Sequence, residues 1–481
     1  MKRFVLAALV CTLSLATELA RANPLWTSDQ VRQARSLVES EALVFDLRRE
    51  KIRPDKPAEI TTEVVILAPT FSQIVEGEKQ TLEDHALCRT MSWNRTARVF
   101  TSHSCYAIVA FKLVEIENRA ALSRVASEDP RFSAEANSAE LGIVGSRPSR
   151  LEMRQTREGR EYRVGKAILT SVRGSVGDIS AQEMRGLIRF LARYAPLHPQ
   201  VRGDIANGRV IPASIDVDAG PLAQQRLSIS NVRRLSAAYP LPAGLTAALS
   251  EEAQLGGSPR ALALRTVSQA LDGTMQKPTA EATLAAMRAA LTSGRGLEAV
   301  WLFMQLTQEH AVAFKPIGGA PSPLLSGVRA MLPQLWADPE AARLMAISDL
   351  AGNAQAPGDR QAAARFLSSP RMEGLAYGTF RNVTYANLLT TSPASKDWDP
   401  AIRAAMPPNR VDNYWIHIQA HPWSSNTFKD AGDAYYGAYD VVSAWTAYDL
   451  GRAVDPNWRD SVMGAVGRFE DQMRQREPDY F

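Results

Sequence analysis

Histidine and cysteine are scarce in this chain, at six and three among 481 residues. With so few, no His-Glu-x-x-His zinc motif appears, and no further ligand stands near the cysteines at metal-binding spacing. Charge of one sign is lacking too. The formal net charge is +4, and no cationic cluster of the kind that neutralises phosphates is visible, which excludes nucleic acid as the main partner. Long hydrophobic runs are missing beyond the N-terminus. The best later candidate, around Tyr106–Ile116, is interrupted by Lys112, so no membrane-spanning segment is expected after the leader. Nucleophile motifs are absent as well: no serine is followed three residues on by lysine, and no Gly-x-Ser-x-Gly elbow occurs. No cofactor motif is found, and the oligomeric state is not encoded in any pattern.

What is present begins at the N-terminus. MKRFVLAALVCTLSLATELARA combines Lys2 and Arg3 with an apolar run from Phe4 to Ala16 and ends in Ala20-Arg21-Ala22. That order of basic, apolar and small residues predicts a secretory signal peptide over residues 1–22, cleaved before Asn23. The run is too short to cross about 30 Å of hydrocarbon as a helix. Cys11 lacks the small residue that lipidation needs before it. The expected compartment is therefore the periplasm, with secretion further outward the other exported destination.

Removal of the leader leaves Cys88 and Cys105, and an oxidising compartment favours pairing them. ALCRTMSW and RVFTSHSCYA read as two strands around a turn near Arg95–Arg98. With Thr96-Ala97 as a two-residue turn, the cysteines fall opposite one another, close enough for a disulfide.

Roughly 460 residues remain, enough for two or more domains. Residues 23–240 read as an α+β domain. Thr27-Ser28-Asp29-Gln30 is a capping box for a helix with Val31, Ala34 and Val38 on its apolar face. EITTEVVILAPTF is β-branched and strand-like, CYAIVAFKLVEI reads as a long apolar strand, and Ser127–Arg150 as a polar loop-rich stretch. LEMRQT-REGR-EYRVGKAIL suggests a second hairpin; its likeness to a phosphate loop fails on glycine spacing. Ser180-Ala181-Gln182-Glu183 caps a helix with Met184, Leu187, Ile188 and Leu191 on one face. RVIPASIDV is expected to be the last strand. The prolines and glycine of Ala237–Leu245 mark a boundary.

From 241 to 481 strand patterns vanish and amphipathic, Ala-rich helices take over, including SPRALALRTVSQALDG, TAEATLAAMRAALTSGRGLEAVWLFMQLTQ and a helix capped by Asp338-Pro339. GRGLEA follows a helix, so it is expected to be a helix–helix turn rather than a dinucleotide loop. Asp216/Asp218 and Asp397/Asp399 read as turn or cap residues.

Near the end, Phe428, Gly432, Tyr435, Ala444, Tyr448, Gly451 and Pro456 share one register, counted from Ser425. This stretch, 425–458, resembles a tetratricopeptide repeat, a helix hairpin of about 34 residues with small residues where its helices touch. Ala431 stands where leucine is usual. The resemblance implies an all-α, irregular solenoid over 241–481, closed by a capping helix at 459–476 whose apolar stripe is Val462, Val466, Phe469 and Met473. It also implies a concave binding face formed by Asn426, Lys429, Asp433 and Tyr436, for a protein or peptide partner in the cell envelope. Asp430 and Asp433 beside Lys429 argue against capture of a carboxylate terminus, since like charges repel at close range. His417 and His421 lie four apart and could share a metal with Asp412 or Asp430 as third ligand, but Pro422 ends the helix right after His421 and both adjoin aromatic packing, so no metal site is expected.

Two functions follow as expectations: a non-catalytic exported interaction or scaffold protein, or an exported hydrolase with a dispersed site around Asp84, His85 and His103. A polar pocket with converging titratable groups in residues 27–235 would favour the second.

Overall fold

The computed structural model describes residues 23–35, 39–53, 56–125, 151–164, 166–195, 197–218, 224–339 and 410–481, with isolated residues between 341 and 367. The expected leader, Val38, Ser127–Arg150 and Asp397/Asp399 lie outside the described residues. The chain divides into two compact units, one holding Trp26–Ala248 and Phe469–Phe481, the other holding Ala22–Leu25 and Leu249–Arg468.

The first unit is built on a 12-stranded sheet. Its strands are β1 (Ser40–Arg53), β2 (Lys56–Leu67), β3 (Phe71–Glu76), β4 (Lys79–Asp84), β5 (Arg89–Asn94), β6 (Val99–Ser104), β7 (Glu152–Gln155), β8 (Gly159–Val164), β9 (Ala167–Asp178), β10 (Val210–Asp218), β11 (Gln224–Ala237) and β12 (Thr246–Ala247). The spatial order is β12-β6-β5-β4-β3-β2-β1-β11-β10-β9-β8-β7. Every pairing is antiparallel except β12 with β6. Two meanders, β1–β6 and β7–β11, are thus joined where β1 meets β11, from Ser40↔Ala237 to Ile52↔Gln224.

Among the described residues the helices that accompany the sheet are α1 (Ser28–Ala34), α2 (Cys105–Val125), α3 (Ala181–Tyr194) and α4 (Pro199–Gly208). The capping boxes of α1 (Thr27, Gln30) and α3 (Ser180, Glu183) form as the sequence predicts. Leu43, Phe45 and Leu47 alternate along β1 toward Met184, Leu187, Ile188, Phe190 and Leu191 of α3, in one buried cluster. Phe45 meets Phe190 edge to face at 5.8 Å. Burying one such side chain contributes about 1.5–3 kcal/mol. A second cluster gathers Val31, Phe71, Leu82, Met91, Trp93, Phe100 and Tyr239.

Several expectations are corrected. CYAIVAFKLVEI is not a strand; it opens α2. Tyr106, Val109, Ala110 and Leu113 are buried while Ile108 and Phe111 are exposed, a helical spacing that a continuous apolar run conceals. RVIPASIDV forms β10, yet β11 follows it with only Leu227, Ile229 and Ala237 buried along a polar strand. The hairpin connection is longer than two residues, spanning Arg95–Arg98 between β5 and β6. Its register nonetheless places Arg89 opposite Ser104, so Cys88 and Cys105 adjoin and are bridged, Cα to Cα 5.1 Å. Asp216 lies within β10 and pairs with Arg226 at 2.7 Å and Arg173 at 3.2 Å.

The tail returns to this unit. Arg202, 3% exposed, pairs with Asp479 at 3.0 Å and Glu477 at 3.7 Å. Arg193 donates to the carbonyl of Tyr480 at 2.8 Å, covers its ring at 4.4 Å, and pairs with buried Glu83 at 2.7 Å.

The second unit is helical: α5 (Ala248–Leu255), α6 (Pro259–Leu271), α7 (Ala280–Thr292), α8 (Gly296–Glu309), α9 (Pro323–Ala337), α10 (Arg410–Ala420), α11 (Ser425–Gly437) and α12 (Val441–Val454), followed by α13 (Gly464–Arg476). The division between units falls inside α13. GRGLEA is the α7–α8 turn, with Gly294 left-handed at φ 66°. Asp338 accepts from the backbone N–H of Ala341 at 2.9 Å, as a helix cap does. Of the expected α13 stripe, Val466 and Met473 are buried, whereas Val462 is exposed and Glu470 buried instead. Among the described residues no helix is long and apolar enough to cross a membrane.

The disulfide closes a loop of sequence separation 17, for which the chain-entropy model gives about 3 kcal/mol. A Cys88→Ala/Cys105→Ala variant should therefore unfold at lower denaturant, and reductant should shift the wild-type midpoint likewise. Identical midpoints in equilibrium urea unfolding would contradict this.

Candidate functional site

The four residues expected on a binding face lie on α11, with Asn426, Lys429 and Tyr436 half-buried and Asp433 exposed. The adjoining strip of α11 buries Phe428, Ala431 and Gly432. Close approach to α12 requires those small residues. A Cβ on Gly432 would stand 2.2 Å from the ring of Tyr448, and one on Gly451 would stand 2.8 Å from Phe428. Trp415 on α10 donates its indole N–H to the Tyr435 hydroxyl at 2.8 Å.

The face is already knit together. Lys429 pairs with Asp433 at 2.5 Å, and the Tyr448 hydroxyl donates to the other Asp433 oxygen at 2.8 Å. Burial, then the Asp433 charge, pushes the Tyr448 phenol up, so it remains a donor. Tyr436 meets Trp445 edge to face at 6.1 Å. The lysine charge is thus answered within one helical turn, leaving no free cation there to hold a carboxylate.

His417 and His421 do come together, their rings 5.1 Å apart, but both are buried. His421 stacks on Trp301 at 4.5 Å and its Nδ1 sits 3.1 Å from Glu309. Neither Asp412 nor Asp430 is brought to them by any contact seen, and among the described residues no group of three potential ligands is assembled.

In the sheet unit, Asp84, His85 and His103 do not converge. Asp84 is buried and fully engaged by Arg35 at 2.9 Å, the Tyr239 hydroxyl at 2.7 Å, and the backbone N–H groups of Ala86 and Leu87. His103 lies on β6 opposite Thr90. His85 touches Ser72 at 3.1 Å through Nε2 and Arg189 at 2.7 Å through Nδ1. Arginine can only donate, so Nδ1 accepts and the ring proton sits on Nε2, donated to the serine. A hydrolytic base needs the reverse, a bare nitrogen facing the hydroxyl. Burial, with Arg189 and Arg193 nearby, holds the His85 pKa down to about 2.

A cavity of about 500 Å³ does open in this unit, lined by Glu41, Leu67–Pro69, Ser180, Gln182, Glu183, Arg185, Gly186, Arg189 and Arg234. It is polar and titratable, as the hydrolase expectation required. Its groups, however, are poor catalysts. Hydrogen bonds from Arg234 first, and from Ser180, hold Glu183 down to about 2, which makes it a weak base. The Ser180 hydroxyl accepts from the Glu183 N–H as a helix cap. Arg185, Arg189 and Arg234 were not anticipated. The sequence signals only the first two, through the spacing Arg185, Arg189, Arg193 along α3; Arg234 comes from β11.

No protein-family model matches the chain, and no curated protein matches it.

Two outcomes follow. Gly432→Ala should destabilise the protein by about 1–3 kcal/mol through overpacking, whereas Gly437→Ala, with open space around it, should be neutral or slightly stabilising; equal urea midpoints for the two would refute the contact. Burial, and then the neighbouring His421, holds His417 down to about 3. Like His85, it stays neutral when folded but takes a proton below about pH 6.5 when unfolded, so stability is lost as pH falls. Between pH 7.5 and 5.5 the loss should approach about 1.4 kcal/mol per pH unit per histidine below 6.5. Glu63 and Asp84, raised first by burial, act with the opposite sign, favouring the folded state as pH falls through their raised values. Denaturant midpoints that stay constant across this window would contradict the assignment.

Proposed function

We propose that this is an exported, non-catalytic interaction protein of the cell envelope. Its helical unit works as an irregular array of tetratricopeptide-like hairpins that binds a protein or peptide segment. The observation that carries the reading is the two-sided character of α11. One strip is locked to α12 by Gly432 against Tyr448 and Phe428 against Gly451, while Asn426, Lys429, Asp433 and Tyr436 form the adjoining, more open strip, which reaches α12 through Asp433 and Tyr436. Tyr439 (57% exposed) and Val442 (39%) extend that surface into apolar ground. Exposed Asp430 and Asp433 outnumber Lys429 there, which suits a segment carrying basic and apolar side chains. The signal-like leader and the Cys88–Cys105 bridge support an oxidising compartment.

Crosslinking in the periplasm followed by affinity capture tests this. A specific partner should be recovered, and Tyr436→Ala or Asp433→Ala should reduce its recovery about tenfold or more, as for a central contact residue. Recovery that is unchanged by both substitutions, or a chain retaining residues 1–22 in the cytoplasm, would overturn the reading.

A further inference from the structure

We propose that the cavity beside α3 binds a small organic oxyanion, a carboxylate or a phosphate monoester, through the guanidinium groups of Arg185 and Arg189. This site lies in the sheet unit and does not depend on the binding face of α11.

The charge balance of the cavity wall is uneven. Arg234 gives two hydrogen bonds to Glu183, at 2.7 and 3.2 Å, and a third to the carbonyl of Asp178 at 3.0 Å. Glu41 also stands in the electrostatic reach of Arg234. Glu183 is the acid paired directly, with Arg234, and the three arginines of the wall face two acids, which leaves one positive charge in excess. Arg185 makes neither a hydrogen bond nor an ion pair among the described residues. Arg189 has one partner, the Nδ1 of His85 at 2.7 Å. Because that imidazole is neutral, it orients the guanidinium without cancelling its charge. Four of the five N–H donors on Arg189 remain uncommitted.

The next arginine on the same face shows the contrast. Arg193 is nine-tenths or more enclosed and is matched by Glu83 at 2.7 Å. Arg189 is partly desolvated and feels the charge of Arg193, then the opposing charge of Glu83, then Arg185; Glu83 gives its short contact to Arg193, so Arg189 makes no ion pair among the described residues. Two neighbouring forks with free donors fit the flat, two-oxygen edge of a carboxylate or phosphate, which guanidinium binds by paired hydrogen bonds. The helix N-terminus of α3 adds nothing here, since Ser180 and Glu183 already close its cap.

The rest of the wall defines the other end of the ligand. Leu67, Ala68 and Pro69 give the lining its apolar part, and a Cβ added at Gly186 would reach only ordinary contact with the Leu67 Cβ, at 3.7 Å. A volume of about 500 Å³ admits a small molecule and not a polymer. The occupant should therefore carry an apolar body behind its anionic head.

Titration calorimetry with inorganic phosphate, phenyl phosphate and benzoate, at constant ionic strength held by chloride, tests the proposal. Phenyl phosphate or benzoate should bind saturably and more tightly than inorganic phosphate, and whichever of the two is tighter identifies the head group. R185Q and R189Q should each weaken that binding about tenfold or more, while R173Q, on another part of the sheet, should leave it unchanged. Arg185 is exposed, so R185Q keeps its thermal midpoint without ligand and the loss cannot be laid to unfolding. The proposal is overturned if none of the three probes binds saturably up to about 10 mM. It is equally overturned if R185Q and R189Q bind as wild type, if R173Q loses as much, or if inorganic phosphate binds as tightly as both aromatic probes.

Discussion

The pairing of β1 with β11 is the constraint on which the sheet unit depends. These two 14-residue strands lie nearly two hundred positions apart in the chain, yet their ladder runs from Ser40↔Ala237 to Ile52↔Gln224. One side of that seam carries β2–β6 and the other carries β7–β10. Closing so large a loop is entropically costly, and the return comes from burial on both strands. Leu43, Phe45 and Leu47 meet Leu227 and Ile229 in the cluster beneath α3. A slip of one residue would turn those side chains to the solvent face. The same register sets Leu43 opposite Arg234, which brings Arg234 to Glu183 and shapes the cavity wall.

Around that seam the unit buries several charges. Glu83 with Arg193, Asp84 with Arg35 and Tyr239, and Glu477 with Arg202 and Lys112 are each removed from water. Such pairs add little net stability because desolvation offsets their attraction, but losing one partner leaves an uncompensated charge. They therefore discriminate strongly against arrangements that separate them. Glu477 and Asp479 belong to the tail, so its return to the sheet unit is specified by Arg202 and Arg193 rather than by apolar contact alone. Arg189 departs from this pattern, with a neutral histidine where its neighbour has a carboxylate.

The helical unit uses different physics. Its contacts join neighbouring hairpin helices and also helices far apart in the chain, as where α6 meets α10, and close packing of Gly432 on Tyr448 and Gly451 on Phe428 sets the distance between α11 and α12. That approach lets the Tyr448 hydroxyl reach Asp433 and so couples the buried seam to the outer face. The face is a pre-ordered surface rather than a row of loose side chains.

Local features were legible in the sequence because their causes are local. The capping boxes at Thr27 and Ser180, the amphipathic face of α3, the β5–β6 register that pairs Cys88 with Cys105, and the helix limits around Gly432 and Gly451 each follow from residues a few positions apart. The helix at Cys105–Val125 was misread because an unbroken apolar run carries no period to separate helix from strand. β11 went unseen because a strand held by long-range ladder bonds can be mostly polar. The arginine-lined cavity lay further out of reach, since its character is a difference: Arg234 and Arg193 are answered by acids from distant segments, and Arg185 and Arg189 are not. The sequence by itself determined the capped helices, the β5–β6 hairpin and the disulfide, whose partners are near in the chain. Only the tertiary structure decided which charges meet, because that depends on the β1–β11 closure and on the return of the tail.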